Sequence, residues 1–99
     1  MVLNGAEIRI RRYTVETIEN DMIIYIEEDS TMLVINNTAG MILKVIIDAE
    51  AENRSITTRD IGNVLLKEYS LDKEQIDEIC EDVDRTIKLF ITSTILSYA

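Results

Sequence analysis

The hydrophobic residues of this 99-residue chain change their spacing at Asn36, and that change constrains the fold more than any other feature. Residues 22–26 and 31–35 are short runs rich in β-branched residues, a composition typical of strands. Beyond Asn36 the apolar residues recur every three or four positions, as they do in amphipathic helices. The sequence therefore predicts strands in residues 1–36 and helices in residues 37–96.

Three strands are predicted in the first part of the chain. Ile8-Arg9-Ile10-Arg11-Arg12-Tyr13 begins with an alternation of apolar and basic residues, which is typical of a half-buried strand. Residues 22–26 and 31–35 form the second and third strands. The short polar segment 27–30 between them predicts an antiparallel hairpin.

Three helices are predicted in the second part. The polar residues 36–38 supply N-cap oxygens for the first helix, and Thr57 or Thr58 caps the second. Asp72 caps the third and longest helix, which covers about residues 73–94.

These elements predict an α+β fold in one domain, residues 1–99, with a three-stranded antiparallel sheet followed by three helices packed on one side. The chain has no Pro and three Gly, so nothing in it marks an interdomain linker. No apolar run approaches the roughly 20 residues that span a bilayer, so we expect no membrane partner. The cytoplasm is the expected compartment, because the single cysteine excludes an intrachain disulfide.

The composition also limits the chemistry. The chain has no His, which removes the commonest general base and metal ligand, and Cys80 alone cannot build a thiolate cage. We expect no catalytic residues, no metal site and no cofactor. Asp77 and Glu81 lie one helical turn apart, and we interpret them as part of a solvated helix face rather than a cation site. The net charge of −9 argues against a nucleic-acid partner.

Two local features stand out from this pattern. Arg9, Arg11 and Arg12 form the one basic cluster, which is either a solvent-facing strand surface or a contact for an acidic partner segment. Leu89 lies off the apolar stripe of the third helix. If a groove runs along that flank, Leu89 and Thr86 are expected to line it.

Residues 31–96 also contain a series of motifs in a familiar order. Leu33-Val34-Ile35-Asn36-Asn37-Thr38-Ala39 is similar to a strand followed by an L-N-x-T-A helix start. Thr57-Thr58-Arg59-Asp60-Ile61, with Leu65 and Tyr69 after it, is similar to T-x-x-E-I…L…Y. Asp82-Val83, followed by Leu89 or Phe90, is similar to D-V-x-x-F-L-x-x-L. In these features the chain resembles the PqqD family, the recognition elements for ribosomally made and post-translationally modified peptides.

The resemblance implies a winged helix-turn-helix-like fold and a function without catalysis. Members bind the leader segment of a precursor peptide and deliver it to a modifying enzyme, often a radical SAM protein. The leader adds as a strand beside the third strand and lies against the third helix. Carried onto this sequence, the peptide-binding residues are Thr31, Met32, Leu33, Val34, Ile35, Ile79, Asp82, Val83 and Thr86.

The chain departs from the family pattern in two places. Asp48-Ala49-Glu50 stands where members often have L-D-G, and Ser93-Thr94-Ile95-Leu96 replaces a terminal G-L-[IL]. Whether the peptide product is pyrroloquinoline quinone or another compound stays open, as does the identity of the precursor and its enzyme.

Three other interpretations stay open. The second and third helices fit a winged-helix DNA-binding regulator, although the third helix opens with acidic residues that phosphates would repel. A small enzyme or metal-binding protein is disfavoured by the missing catalytic residues. An exposed third-strand edge also fits a homodimer, which would compete with a peptide for that edge.

Overall fold

The computed structural model describes all residues 1–99 and has an α+β architecture with three helices and mainly antiparallel strands, as predicted. The helices are α1, α2 and α3, at Asn37–Ala51, Thr58–Glu68 and Ile76–Thr92, and a 3-10 turn at Lys73–Gln75 precedes α3. The strands, in chain order from β1 to β7, are Val2–Leu3, Ala6–Ile10, Tyr13–Ile18, Asp21–Ile26, Thr31–Asn36, Ser55–Ile56 and Leu96–Tyr98. None of the helices is both long and apolar enough to cross a membrane.

The three-stranded sheet is an antiparallel meander of β3, β4 and β5. The hairpin predicted from residues 22–26 and 31–35 is confirmed, with Ile24 opposite Leu33. The strand predicted at residues 8–13 is confirmed only over residues 8–10, which belong to β2. Its predicted place in the three-stranded sheet is wrong, because β2 pairs with β1 and β7, and β3 takes that place beside β4. β3 places Tyr13, Val15 and Thr17 on one face and Thr14, Glu16 and Ile18 on the other, and every residue after Tyr13 is exposed, so neither face gives a clear apolar signal.

A second sheet has the order β6-β1-β2-β7 and overturns the prediction that all strands precede the helices. β6 lies between α1 and α2 and pairs with β1, whereas β7 follows α3 and pairs with β2. The third helix ends at Thr92, and Thr94 has a positive φ of 68° where the chain turns back toward β7. These two- and three-residue strands exist because distant partners supply their hydrogen bonds, which no local pattern reveals.

The helix starts follow the predicted capping chemistry. Asn36 Oδ1 accepts a hydrogen bond from the Ala39 amide at 2.9 Å at the start of α1. Thr57, rather than Thr58, caps α2, and it exchanges hydrogen bonds with Asp60 in a capping box. Each cap satisfies amide donors that the first helical turn leaves without partners.

The core contains nineteen buried hydrophobic residues and no buried polar residue. Its members come from the helices, from one face of the meander and from the second sheet, and its fully buried members include Ile24, Ile46, Val83 and Phe90. α1 approaches β4 so closely that Gly40 faces the side chain of Met22 with no room for a Cβ. The packing of α1 on the meander sets the position of β5 relative to α3.

Candidate functional site

β5 is an edge strand of the meander, since it pairs with β4 on one side and with no strand on the other. Six consecutive residue pairs, from Asp21↔Asn36 to Ile26↔Thr31, join the two strands without a bulge. The outer edge therefore presents a row of backbone N–H and C=O groups that the sheet does not use. β5 carries no charged residue and no Pro, the devices that usually protect an exposed edge.

A cavity of about 590 Å³ lies between this edge and α3, and we call it the strand groove. Residues 34–36 of β5 form one wall, and Asp82, Arg85, Thr86 and Leu89 of α3 form the other. Thr38 and Ala39, at the start of α1, close the space between the two walls. The edge strand thus opens onto a groove with a helix across it rather than onto free solvent.

The walls of the strand groove combine apolar contact surface with one ion pair. Val34 and Leu89 are exposed over 54% and 44% of their surfaces, although both are large hydrophobic residues. Arg85 Nη1 donates to Asp82 Oδ1 at 2.8 Å. The Thr86 hydroxyl donates to the backbone oxygen of Asp82 at 2.9 Å, so it can offer only acceptor capacity to a ligand. Such a surface can pair with a backbone and also contact apolar side chains.

The structure brings only part of the predicted peptide-binding set to the strand groove. Val34, Ile35, Asp82 and Thr86 line it. Leu89, which the helical wheel placed on a groove flank, also lines it. Val83 is completely buried, so its side chain belongs to the core and lies behind the wall.

The other predicted residues lie near the groove without lining it. Thr31, Met32 and Leu33 belong to β5 but precede the cavity. Leu33 opposes the buried Ile24 and points to the core face, whereas Met32 lies on the opposite face and is 61% exposed. The alternation of a strand explains this division, because neighbouring side chains point to opposite faces of the sheet.

Several groove residues have no binding signal in the sequence. The pattern at Asn36, Thr38 and Ala39 predicts only the start of a helix, because their position in the groove depends on how α1 meets β5. Arg85 could have been found from its spacing, since it lies three residues after Asp82 on the same helix face.

A second cavity, of about 470 Å³, adjoins the strand groove, and we call it the helix pocket. Its apolar walls come from all three helices and the α2–α3 connection: Ile42, Leu65, Tyr69, Leu71 and Ile79. Its remaining lining residues, Thr38, Asp82 and Thr86, also line the strand groove. The two cavities are therefore neighbours that share these three lining residues, and the predicted wall residue Ile79 belongs to the helix pocket.

The basic cluster is partly occupied within the chain. Arg11 Nη1 donates to Glu28 Oε2 at 2.8 Å and to Asp29 Oδ1 at 3.4 Å, in the turn between β4 and β5. Arg9 and Arg12 are exposed. Arg11 thus helps to fix the hairpin that contains β5 instead of serving as a free contact for a partner.

Nowhere in the chain do three or more Cys, Asp or Glu side chains converge as a metal ion would need. Comparison with family models, with curated proteins and with solved structures gave no match in any of the three. The inference about function therefore depends on the geometry of the strand groove and the helix pocket.

Proposed function

We propose that this chain is a non-catalytic peptide-binding protein of the PqqD type, which holds the leader segment of a ribosomally made precursor peptide. The leader lies in the strand groove as a fourth strand of the meander, next to β5. The bound peptide is then presented to a modifying enzyme, such as a radical SAM protein, in the cytoplasm. The observation that carries this proposal is an uncharged edge strand whose free edge opens onto a groove with a helix as its far wall.

Strand addition explains how such a groove can bind a peptide. Backbone hydrogen bonds to β5 supply affinity that does not depend on the peptide sequence, and side-chain contacts supply specificity. Alternate residues of the added strand point toward opposite faces of the sheet, so one set can contact Val34 while the other faces inward. Leu89 and Thr86 then contact the peptide from α3.

The position of α3 favours a single peptide strand over a second copy of this chain. A homodimer formed through β5 edges would place a whole second sheet on the side of β5 where α3 forms the far wall of the groove, with further strands about every 4.8 Å. A lone extended peptide has no such neighbouring strand.

The charge of α3 argues against the DNA-binding alternative. In a helix-turn-helix protein α3 would enter the major groove, but its exposed residues include Glu78, Glu81 and Asp82. The chain as a whole carries −9, so phosphates would be repelled rather than bound.

The winged helix-turn-helix assignment is part of the same proposal. α2 and α3 are adjacent packed helices joined by residues 69–75, and the meander takes the role of the wing. β6 and β7 are additions to that plan. In the second sheet, β6 pairs with β1 and β7 pairs with β2, so the segments next to the helices are joined to the N-terminal strands.

An amide-resonance titration of the labelled chain tests the proposal. The probes are synthetic peptides that span the N-terminal halves of short open reading frames encoded beside its gene. We expect shifts at residues 31–36 and 82–89, with little change in β3 or β7. A folded monomer that shows no shifts with any of these peptides, or shifts only outside the groove, would contradict the proposal.

A further inference from the structure

We infer that the bound peptide also carries a large apolar anchor residue, which fills the helix pocket, and a basic residue beside Asp82. This inference rests on the function proposed above and specifies which peptides the site selects. It concerns the helix pocket, which no strand pairing with β5 can reach.

The helix pocket lies next to the strand groove. Thr38, Asp82 and Thr86 line both cavities, so the helix pocket is the neighbouring concave surface for a chain that leaves the strand groove past the end of β5. Ile79 precedes Thr86 by seven residues, or about 10 Å along the axis of α3. An extended chain covers that distance in about three residues. The anchor therefore lies about three residues beyond the part of the peptide that contacts Thr86.

The lining of the helix pocket favours an apolar side chain. Ile42, Leu65 and Ile79 are buried and form its base, whereas Tyr69 and Leu71 remain exposed at its sides. Five of its eight lining residues are hydrophobic. An apolar concavity of this kind is filled best by a Leu, Ile, Met or Phe side chain, which removes the exposed walls from water together with itself.

The charge at the border of the two cavities favours a basic residue. Asp82 is the one charged residue that lines both cavities, and Arg85 binds only one of its two carboxylate oxygens. Glu78 lies one turn earlier on the same helix, and no Lys or Arg lines the helix pocket. A peptide that places Lys or Arg near the anchor meets complementary charge there, and the net charge of −9 attracts it from a distance.

The test uses a phage-displayed library of random 12-residue peptides, selected on the full chain. The most enriched sequence is synthesised as the probe. We expect enriched peptides to contain a large apolar residue with Lys or Arg within a few positions of it. Changing the anchor residue to Ala should weaken binding about tenfold. Changing the basic residue to Gln should weaken it several-fold and reduce its dependence on salt.

Variants of the protein locate the anchor. Tyr69→Ala removes one side of the helix pocket and should weaken binding of the probe about tenfold. When this variant binds the peptide whose anchor is changed to Ala, the loss of binding free energy should be smaller than the sum of the two separate losses. The reason is that both changes remove the same contact. Val64→Ala is the matched control. It truncates an exposed hydrophobic residue of α2 that lines neither cavity, so binding should stay within about twofold.

Methyl resonances separate this inference from the proposed function. A probe that shifts the Ile42 and Ile79 methyl signals together with the amides of residues 31–36 supports both. A probe that shifts those amides but leaves both methyl signals unchanged overturns the anchor and leaves the peptide-binding function standing. A library that yields no peptide shifting residues 31–36 overturns the proposed function and the anchor with it.

Discussion

The hydroxyl of Thr94 donates a hydrogen bond to Asp29 Oδ2, although the two residues are 65 positions apart in the chain. Thr94 follows the end of α3, and Asp29 lies in the turn that leads into β5. Asp29 also accepts a hydrogen bond from Arg11. This contact connects the two walls of the strand groove at one end, so that β5 and α3 are held in a fixed relation before a peptide binds.

Removing that connection should loosen the hairpin that contains β5. Asp29→Ala deletes the acceptor for both Thr94 and Arg11, and we expect the free energy of unfolding to fall by about 1–2 kcal/mol. Asp29→Asn keeps an oxygen acceptor for Thr94, so its loss of unfolding free energy should be less than half of the loss in Asp29→Ala. Denaturant unfolding measures both variants, and equal losses would show that the Thr94 hydrogen bond contributes nothing.

The contact between α2 and α3 depends on a glycine. A Cβ at Gly62 would lie 3.2 Å from both Cys80 Sγ and Ile76 Cδ1. Gly62→Val should therefore lower the free energy of unfolding by about 1–3 kcal/mol through overpacking. Asn63→Val at the neighbouring exposed position is the control, with an expected change within about 0.5 kcal/mol. Similar thermal melting of the two variants would contradict this account of the interface.

Local signals were enough to predict much of the fold. β4 and β5 are short runs rich in β-branched residues, the three helices have a 3.6-residue period, and the caps at Asn36 and Thr57 use side chains that act within three residues. β7 was missed because it has three residues and its partner is at the other end of the chain, where Leu96 pairs with Ile10. No period can be read from so short a strand.

The candidate site was predictable in outline and not in detail. The helical wheel placed Leu89 apart from the core stripe, and Leu89 does line the strand groove. The apolar stripe of the third helix includes Val83 with Ile87, whereas the resemblance places Val83 in the wall, and the structure buries it completely. The roles of Thr38 and of the helix pocket follow from the packing of three helices, which is information about tertiary structure.

Burial raises the pKa of Tyr13 above its ordinary value of 10.0. The unfolded chain therefore ionises this tyrosine first as the pH rises, so the stability that its neutral form contributes is complete below pH 10 and is lost above it. We expect the free energy of unfolding of the Tyr13→Phe variant to decline less steeply than that of the unchanged chain between pH 10 and 12. Chemical denaturation at a series of pH values measures this, and parallel declines would contradict the assignment.

The apolar wall of the strand groove should matter for binding and not for folding. Leu89→Glu places a charge in the groove, and we expect the dissociation constant of a groove-binding peptide to rise at least tenfold. Val64→Glu is the control, because it also places a charge on a hydrophobic residue of similar exposure (39% against 44%), but on α2 and outside the groove. It should alter the dissociation constant less than twofold. Both substitutions affect exposed positions, so both variants should unfold within about 1 kcal/mol of the unchanged chain. Fluorescence anisotropy with one labelled peptide compares the three proteins. Equal affinities for the two variants would mean that the peptide lies somewhere other than between β5 and α3.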